Sequence, residues 1–187
     1  MNVYDFDRTV YTGDSTLDFY GFCLRQHPTL ARFWPRQALG AARYLLGAAD
    51  KTALKESFFS FLQGLGDVHA LVERFWQGHH GRIAEWYLRQ QCAEDVIITA
   101  SPAFLVAPLC ARLGLQPPIA SLVNPADGRF QGLNCHGEEK VQRFTQCWPQ
   151  AQVQAFYSDS LSDAPMAALA DRAWLVTRGV VKPWPTR

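Results

Sequence analysis

"DVIITA" (Asp95–Ala100) runs straight into "SPAFLVAPLCARLGL" (Ser101–Leu115), and this junction decides the fold class. The first stretch is apolar and β-branched almost throughout, the composition of a strand buried on both faces. The second predicts a helix with Ser101 as N-cap, Pro102 in the first helical position and Gly114 as the stop. The alternation continues towards the C-terminus. "PIASLV" reads as a strand, "GEEKVQRFTQCW" as a helix, "VQAFYSD" as a strand, "LSDAPMAALA" as a short helix and "AWLVT" as a last strand. "NPADG", between "PIASLV" and "RFQGLNC", signals a hairpin around Asp127-Gly128. Strand–helix alternation of this kind implies an α/β fold with a mostly parallel sheet and right-handed crossovers.

Working back towards the N-terminus, Val3–Phe6 is one more short apolar strand. From Ser15 to about Gly78 the pattern is helical, punctuated at Pro28, Pro35, Gly47–Asp50 and Gly64–Asp67 into four expected helices. "STLD" (Ser15–Asp18) resembles a capping box, with Ser15 as N-cap and Asp18 three residues on. The organisation is therefore discontinuous: one N-terminal strand belongs with strands that begin near Asp95, and a helical insertion separates them.

The chain has 187 residues, 48% of them hydrophobic and 19% charged, which is ordinary globular composition with room for a sizeable core. Its net charge of +1 shows no global attraction to nucleic acid, and none is expected as a partner. Five widely spaced cysteines without a CxxC pair argue against a disulfide framework or a cysteine zinc site and are expected to be buried free thiols. No stretch reaches about 18 uncharged apolar residues, and the N-terminus lacks the basic-then-apolar run of a secretory signal. A cytoplasmic protein without an integral membrane segment is the expectation.

In open α/β sheets ligands bind outside the carboxyl ends of the strands. Polar groups gather there: Asp5 and Asp7 after the first strand, Thr99 and Ser101 after the second, Asp159 and Asp163 after "VQAFYS", and Lys140 early in the preceding helix. Asp5, Asp7 and Asp159 would repel one another without a cation, and hard oxygen donors suit Mg²⁺. Lys140 adds a fixed positive charge, and Thr99 a hydroxyl beside a helix N-terminus that attracts anions. That environment suits a phosphoryl group. Asp5 could attack it to give an aspartyl-phosphate, and Asp7 could protonate the leaving oxygen and then activate water.

Taken together, "DFDRT" (Asp5–Thr9), Thr99 after an apolar strand, Lys140 in "GEEKV" and "SDSLSD" (Ser158–Asp163) resemble the four ordered motifs of the haloacid dehalogenase superfamily. The helical stretch Ser15–Gly78 resembles the C1 cap of its phosphoserine-phosphatase-like branch, subfamily IB. The resemblance implies a Rossmann-like core from residues 1–13 and 79–187 with an all-helical cap at 14–78. It implies Asp5 as nucleophile, Asp7 as general acid/base, and Thr99, Ala100, Ser101 and Lys140 as phosphate-binding residues. Asp5, Asp7 and Asp159 would hold Mg²⁺, with Asp163 supporting the metal site or Lys140. The substrate class would be a small-molecule phosphomonoester; oligomeric state is left open.

Plainer roles compete at several positions. Ser101 reads first as a helix cap, and Asp159 and Asp163 could cap the helix that follows them. Lys140 taken alone would be a solvated lysine. Asp14 stands nine positions after Asp5, where phosphoserine phosphatases carry a glutamate that contacts the substrate amine; capping is its favoured reading, and "TASP" lacks that branch's usual glycines. Arg43 could meet an anionic substrate group, though a snorkelling surface arginine is favoured. His79-His80 reads as an exposed pair. Two further readings remain: the same chemistry on a lipid phosphate such as phosphatidylglycerophosphate, prompted by the apolar stretch Phe33–Ala49 and by resemblance to a bacterial branch that contains phosphatidylglycerophosphate phosphatases, and a phospholigand-binding regulator without turnover. Transfer to another sugar instead of water is the remaining variant.

Overall fold

The computed structural model describes residues 1–185. Six strands form one sheet: β1 (Asn2–Tyr4), β2 (Val96–Pro102), β3 (Ile119–Ser121), β4 (Val153–Ser158), β5 (Ala170–Thr177) and β6 (Val180–Pro183). Their order is β3-β2-β1-β4-β5-β6, with every pairing parallel except β5–β6. The first strand in sequence is thus central, with Val3 opposite Val96 on one side and Phe156 on the other.

Side chains alternate across this sheet, as the pleat requires. Val3, Val96 and Ile98 join Ile119, Phe144, Phe156 and Met166 in one buried cluster. Tyr4 and Ile97 face the other way, into a larger cluster with Phe6, Tyr11, Phe75, Trp76, Leu105 and Leu109. Both faces are covered, which is why "VIIT" carries no polar alternation.

Between β1 and β2 lie α1 (Ser15–Gln26), α2 (Trp34–Leu45), α3 (Lys51–Phe59), α4 (Val68–His79) and a single turn, α5 (Glu85–Leu88). The first four match the four expected helices, with short 3-10 segments at Pro28–Phe33 and Ser60–Gly64. α6 (Ala103–Arg112), α7 (Glu138–Cys147) and α8 (Ala164–Ala167) complete the fold. Although inserted in sequence, α1 and α4 share the larger apolar cluster with the sheet through Phe19, Phe75 and Trp76. The Trp76 indole N–H donates to the Leu105 carbonyl at 2.7 Å. α2 packs on α3 at close range: a Cβ on Gly40 would lie 2.3 Å from the Ser57 Cβ, so only glycine fits there.

Several local expectations are corrected. The cap of α1 is Asp14, whose side chain accepts from the Leu17 N–H at 3.0 Å, and not Ser15. Ser15 is drawn inward, its N–H donating to Asp7 at 2.7 Å, while Asp18 is spent on Tyr11 and Arg82. Ser101 caps nothing: β2 continues through Pro102, with a register irregularity against β3, and α6 begins at Ala103. The hairpin reduces to a turn with one bridge, Val123–Phe130, and the outward-pointing Phe130 N–H donates to Glu56 of α3. β6 is an addition, joined to β5 by Arg178-Gly179, both with positive φ, a two-residue turn that suits strand twist. All five cysteines are free; Cys23, Cys110 and Cys135 are buried as expected, whereas Cys92 and Cys147 are exposed. No helix of the described residues is long and apolar enough to cross a membrane.

Candidate active site

Beyond the carboxyl ends of β1, β2 and β4 lies a cavity of about 530 Å³, also lined by α1 and α3. Its floor starts where β1 ends. Asp5 is the residue after β1 and is still tied to the sheet, its N–H donating to the Tyr157 carbonyl at 2.8 Å. The chain then turns sharply through Arg8, which has φ +56°, a left-handed conformation that costs a non-glycine residue roughly 1 kcal/mol or more. That turn folds the chain back after Asp7, with the Arg8 N–H donating to the Gly13 carbonyl and the Tyr11 N–H to the Phe6 carbonyl.

Lys140 lies one turn into α7 and is almost wholly buried, where an ammonium is tolerated only if paired. It donates to Asp5 Oδ1 at 2.6 Å and to Asp163 Oδ2 at 2.7 Å, and the Ser158 hydroxyl donates to the same Asp163 oxygen at 2.7 Å. Burial alone would discharge Lys140, but Asp5 and Asp163 together hold it above its ordinary value. Burial also pushes the Asp5 carboxyl up to about 7, with Lys140 opposing and Asp163 adding to the rise. The solvated-lysine and capping alternatives for Lys140 and Asp163 are therefore corrected: both are interior, and the Asp163 side chain caps no helix. α7 can begin here because Gly137 adopts φ +59°, ψ −127°, a backbone state open essentially to glycine alone.

Asp7 has a different environment. Its Oδ1 accepts from the Ser15 N–H and its Oδ2 from the Ser101 hydroxyl at 2.5 Å. Ser101 is in turn 3.0 Å from Thr16 Oγ1. Burial raises the Asp7 carboxyl above its ordinary value, with hydrogen bonds from Ser101 and Ser15 pulling the other way. Thr99, Ala100 and Ser101 follow one another along the wall, the Thr99 hydroxyl accepting from the Ser101 N–H at 3.0 Å.

Asp159, just beyond the end of β4, also lines the cavity, half-buried, its carboxyl raised by burial despite Arg8 at 3.8 Å. The expected cluster of three carboxylates is not formed: among the described residues no group of three His, Cys, Asp or Glu side chains could hold a metal ion. Both Asp7 oxygens are already engaged. Asp5 Oδ2 accepts no hydrogen bond among the described residues, and Asp159 offers a second hard donor. One or two carboxylates, completed by water and substrate oxygens, is a usual Mg²⁺ environment, so the donor set fits that ion.

Two candidates fare otherwise. Asp14 lines the cavity, where Oδ1 caps α1 and Oδ2 accepts from Arg8 at 2.9 Å. Arg43 is exposed on α2 and is not among the cavity-lining residues, so it is corrected to a surface arginine. His79-His80 also lies away from the cavity.

The residues that sequence reasoning missed come from α3 and from the loop before α7. The Lys55 ammonium reaches into the cavity, donating to the Ala100 carbonyl at 2.9 Å and to Asn134 at 2.7 Å. Burial, reinforced by Lys51, pulls it down to about 8. Lys51 lies 3.2 Å from His136 Nε2, and burial with Lys51 lowers that imidazole. The i, i+4 spacing of Lys51 and Lys55 was the one available signal, since it puts both on one helix face. Leu17, Leu54, Phe58 and Phe59 make the remaining wall apolar.

A family model described as haloacid dehalogenase-like hydrolase matches residues 3–168. Protein CicA of Caulobacter vibrioides is 29% identical over 195 residues, spanning 94% of this chain and 86% of its own. Among solved structures, a Bordetella pertussis Tohama I protein of unknown function superposes with a TM-score of 0.72 at 24% identity, over 92% of this chain and 87% of that one. A probable phosphoserine phosphatase from Vibrio cholerae superposes with a TM-score of 0.63 at 14% identity, over 92% of this chain and 55% of that one. At these identities the structural likenesses establish a shared fold.

Proposed function

Because the chain belongs to the haloacid dehalogenase-like hydrolases, we propose that it is a phosphomonoesterase working through an aspartyl-phosphate on Asp5, with Asp7 as general acid and then general base. The observation that carries this reading is the pair itself. Asp5 is pinned by Lys140 through one oxygen and leaves the other to the cavity; Asp7 sits two residues on, buried and raised. An Asp5 oxygen attacks phosphorus and the bond to the leaving alkoxide breaks, the alkoxide taking its proton from Asp7. Water then attacks the aspartyl-phosphate, Asp7 takes back a proton, and inorganic phosphate leaves with Asp5 restored. Lys140, the Thr99 hydroxyl and the polar edge at Ala100 and Ser101 receive the phosphoryl oxygens, so positioning and charge neutralisation supply most of the rate. Asp5 and Asp159 would hold Mg²⁺, which when bound neutralises phosphoryl charge.

Residues 14–78 act in this reading as the cap that selects the substrate. Asp14 is committed to the α1 cap and to Arg8, and the lysines of α3 favour a substrate with negative charge towards the cap. A lipid phosphate is the second reading, favoured by the apolar wall of Leu17, Leu54, Phe58 and Phe59. The test is turnover with and without Mg²⁺ on phosphoserine, sugar, nucleotide and liposome-presented lipid phosphates. No rate above background on any of them would leave a phospholigand-binding protein instead, and transfer to sugar in preference to water would make it a mutase.

The acid role of Asp7 has a selective signature. Asp7→Asn slows hydrolysis of an alkyl phosphate by about 10²–10⁴-fold, the usual worth of general acid catalysis, but slows release of p-nitrophenol far less. Equal losses on both esters, or full activity on the alkyl ester, would remove the assignment. Lys55 supplies a second expectation. Its ammonium is present below about 8 and lost above it, so KM for an anionic ester climbs as pH rises from 7.5 to 9.5. Lys55→Gln raises KM at pH 7 and flattens that rise; a wild-type KM constant over the range would show that Lys55 meets no substrate charge.

A further inference from the structure

The cap carries an amphipathic helix mounted with its apolar side outwards. On α2, the residues turned to the protein are Gln37, Gly40 and Ala41, at i, i+3 and i+4. Gln37 bonds the Phe58 carbonyl of α3 at 2.9 Å, and Gly40 meets Ser57 at a distance no side chain could share. That seat fixes the helix's rotation. The opposite side is apolar: Trp34, Ala38, Leu39, Ala42 and Leu45, continued by Leu46, cover roughly 140° of the wheel at 100° per residue. Trp34 is 56% exposed, Leu39 62%, Leu45 83% and Leu46 82%. Four of the twelve exposed large apolar side chains of the described residues, Trp34, Leu39, Leu45 and Leu46, fall on this one arc, so this is a patch and not scatter.

Charge tells what would cover it. From Phe19 to Ala49 the chain has four arginines (Arg25, Arg32, Arg36 and Arg43) and no acidic residue, although its net charge is only +1. All four are exposed, and none has a carboxylate partner among the described residues. Arg36 and Arg43 border the apolar arc on one side, where their stems can lie along lipid while the guanidinium groups reach phosphate. A tryptophan at one end of such a helix is suited to the membrane–water boundary. A second copy of the chain is a poor occupant, because two-fold symmetry sets an acid-free arginine border against itself.

We propose that α2 is a docking helix that lays the cap on an anionic lipid bilayer without crossing it. α3 lies between α2 and the cavity, one side against α2 and the other lined by Lys51, Leu54 and Lys55, so the docked protein holds its substrate site one helix away from the lipid.

The experiment is co-sedimentation of the full chain with vesicles of phosphatidylglycerol and phosphatidylcholine, against vesicles of phosphatidylcholine alone. The chain partitions onto the anionic vesicles and binds the neutral ones much more weakly. Arg36→Gln with Arg43→Gln lowers partitioning about 25-fold at low salt, at about fivefold for each basic residue near an anionic surface. Leu39→Glu with Leu45→Glu lowers it at least as far. Thermal unfolding by circular dichroism checks that each variant folds, so the result stands apart from the enzymatic reading. Should the leucine variant unfold, the arginine variant decides alone. Wild-type protein left in the supernatant, or both variants binding like wild type, overturns the proposal. So does a lipid-free dimer that Leu39→Glu with Leu45→Glu converts to monomer, which would make the face a contact between copies.

Discussion

Asp5→Asn abolishes hydrolysis of p-nitrophenyl phosphate, with a loss of more than about 10⁴-fold in kcat, the scale seen when a covalent nucleophile is removed. The substitution is nearly isosteric. Asparagine keeps an oxygen to accept from Lys140, and Lys140 keeps Asp163, so the protein folds and the defect lies in the chemistry. An amide cannot form the acyl-phosphate, and no neighbour stands in. Asp7 is held by Ser15 and Ser101, and Asp159 is paired with Arg8. Retained turnover in a preparation free of contaminating phosphatase would rule Asp5 out as nucleophile.

Lys140→Met has the largest expected effect on stability. Lys140 is the shared partner of two interior carboxylates, and removing one member of a buried ionic set costs about 3–5 kcal/mol because the remaining charges lose their compensation. Urea denaturation at pH 7.5 reads this directly; a loss below about 1 kcal/mol would mean that Asp5 and Asp163 find other compensation. The deficit depends on pH with a defined sign. Asp5 already sits near 7 with Lys140 beside it, above its unfolded value, and rises further without it. A carboxyl whose folded value exceeds its unfolded value stabilises the fold below the unfolded value and loses that contribution as pH rises through the folded one. Wild type and variant accordingly diverge above about pH 7, where wild-type Asp5 ionises and the variant's resists: the deficit grows as pH rises above about 7 and shrinks as pH falls back to it.

Much of the fold was legible because burial on both faces leaves a plain trace: "VIIT" and "AFY" are apolar runs with few other uses. Parallel strands must bring their carboxyl ends to one edge, so Asp5, Asp7, Thr99, Lys140 and Asp159 could be placed together before any contact was known. What escaped was decided by competition between near-equivalent local solutions. Ser101-Pro102 spells a helix start, yet Ser101 is worth more as a donor to a buried carboxylate than as a cap. Asp14 displaced Ser15 for the same reason, Ser15 being drawn to Asp7. Lys55 depended on how α3 seats over the cavity, which no local pattern specifies. The apolar stripe of α2 was visible, but a stripe does not say which way it faces; Gly40 against Ser57 does.

The central position of β1 also governs how the molecule must assemble. Its two neighbours in the sheet lie 93 and 153 positions along the chain, at Val96 and Phe156 opposite Val3. Helical hairpins of the insertion can form from local contacts within microseconds, but the ladder that carries Asp5 closes the longest loops in the protein. A folding intermediate with complete helices and an unpaired β1 would be spectroscopically rich and chemically inert. In a refolding experiment, therefore, helical ellipticity returns first, and turnover returns only with the slowest phase, so that enzymatic activity serves as the clock for sheet closure.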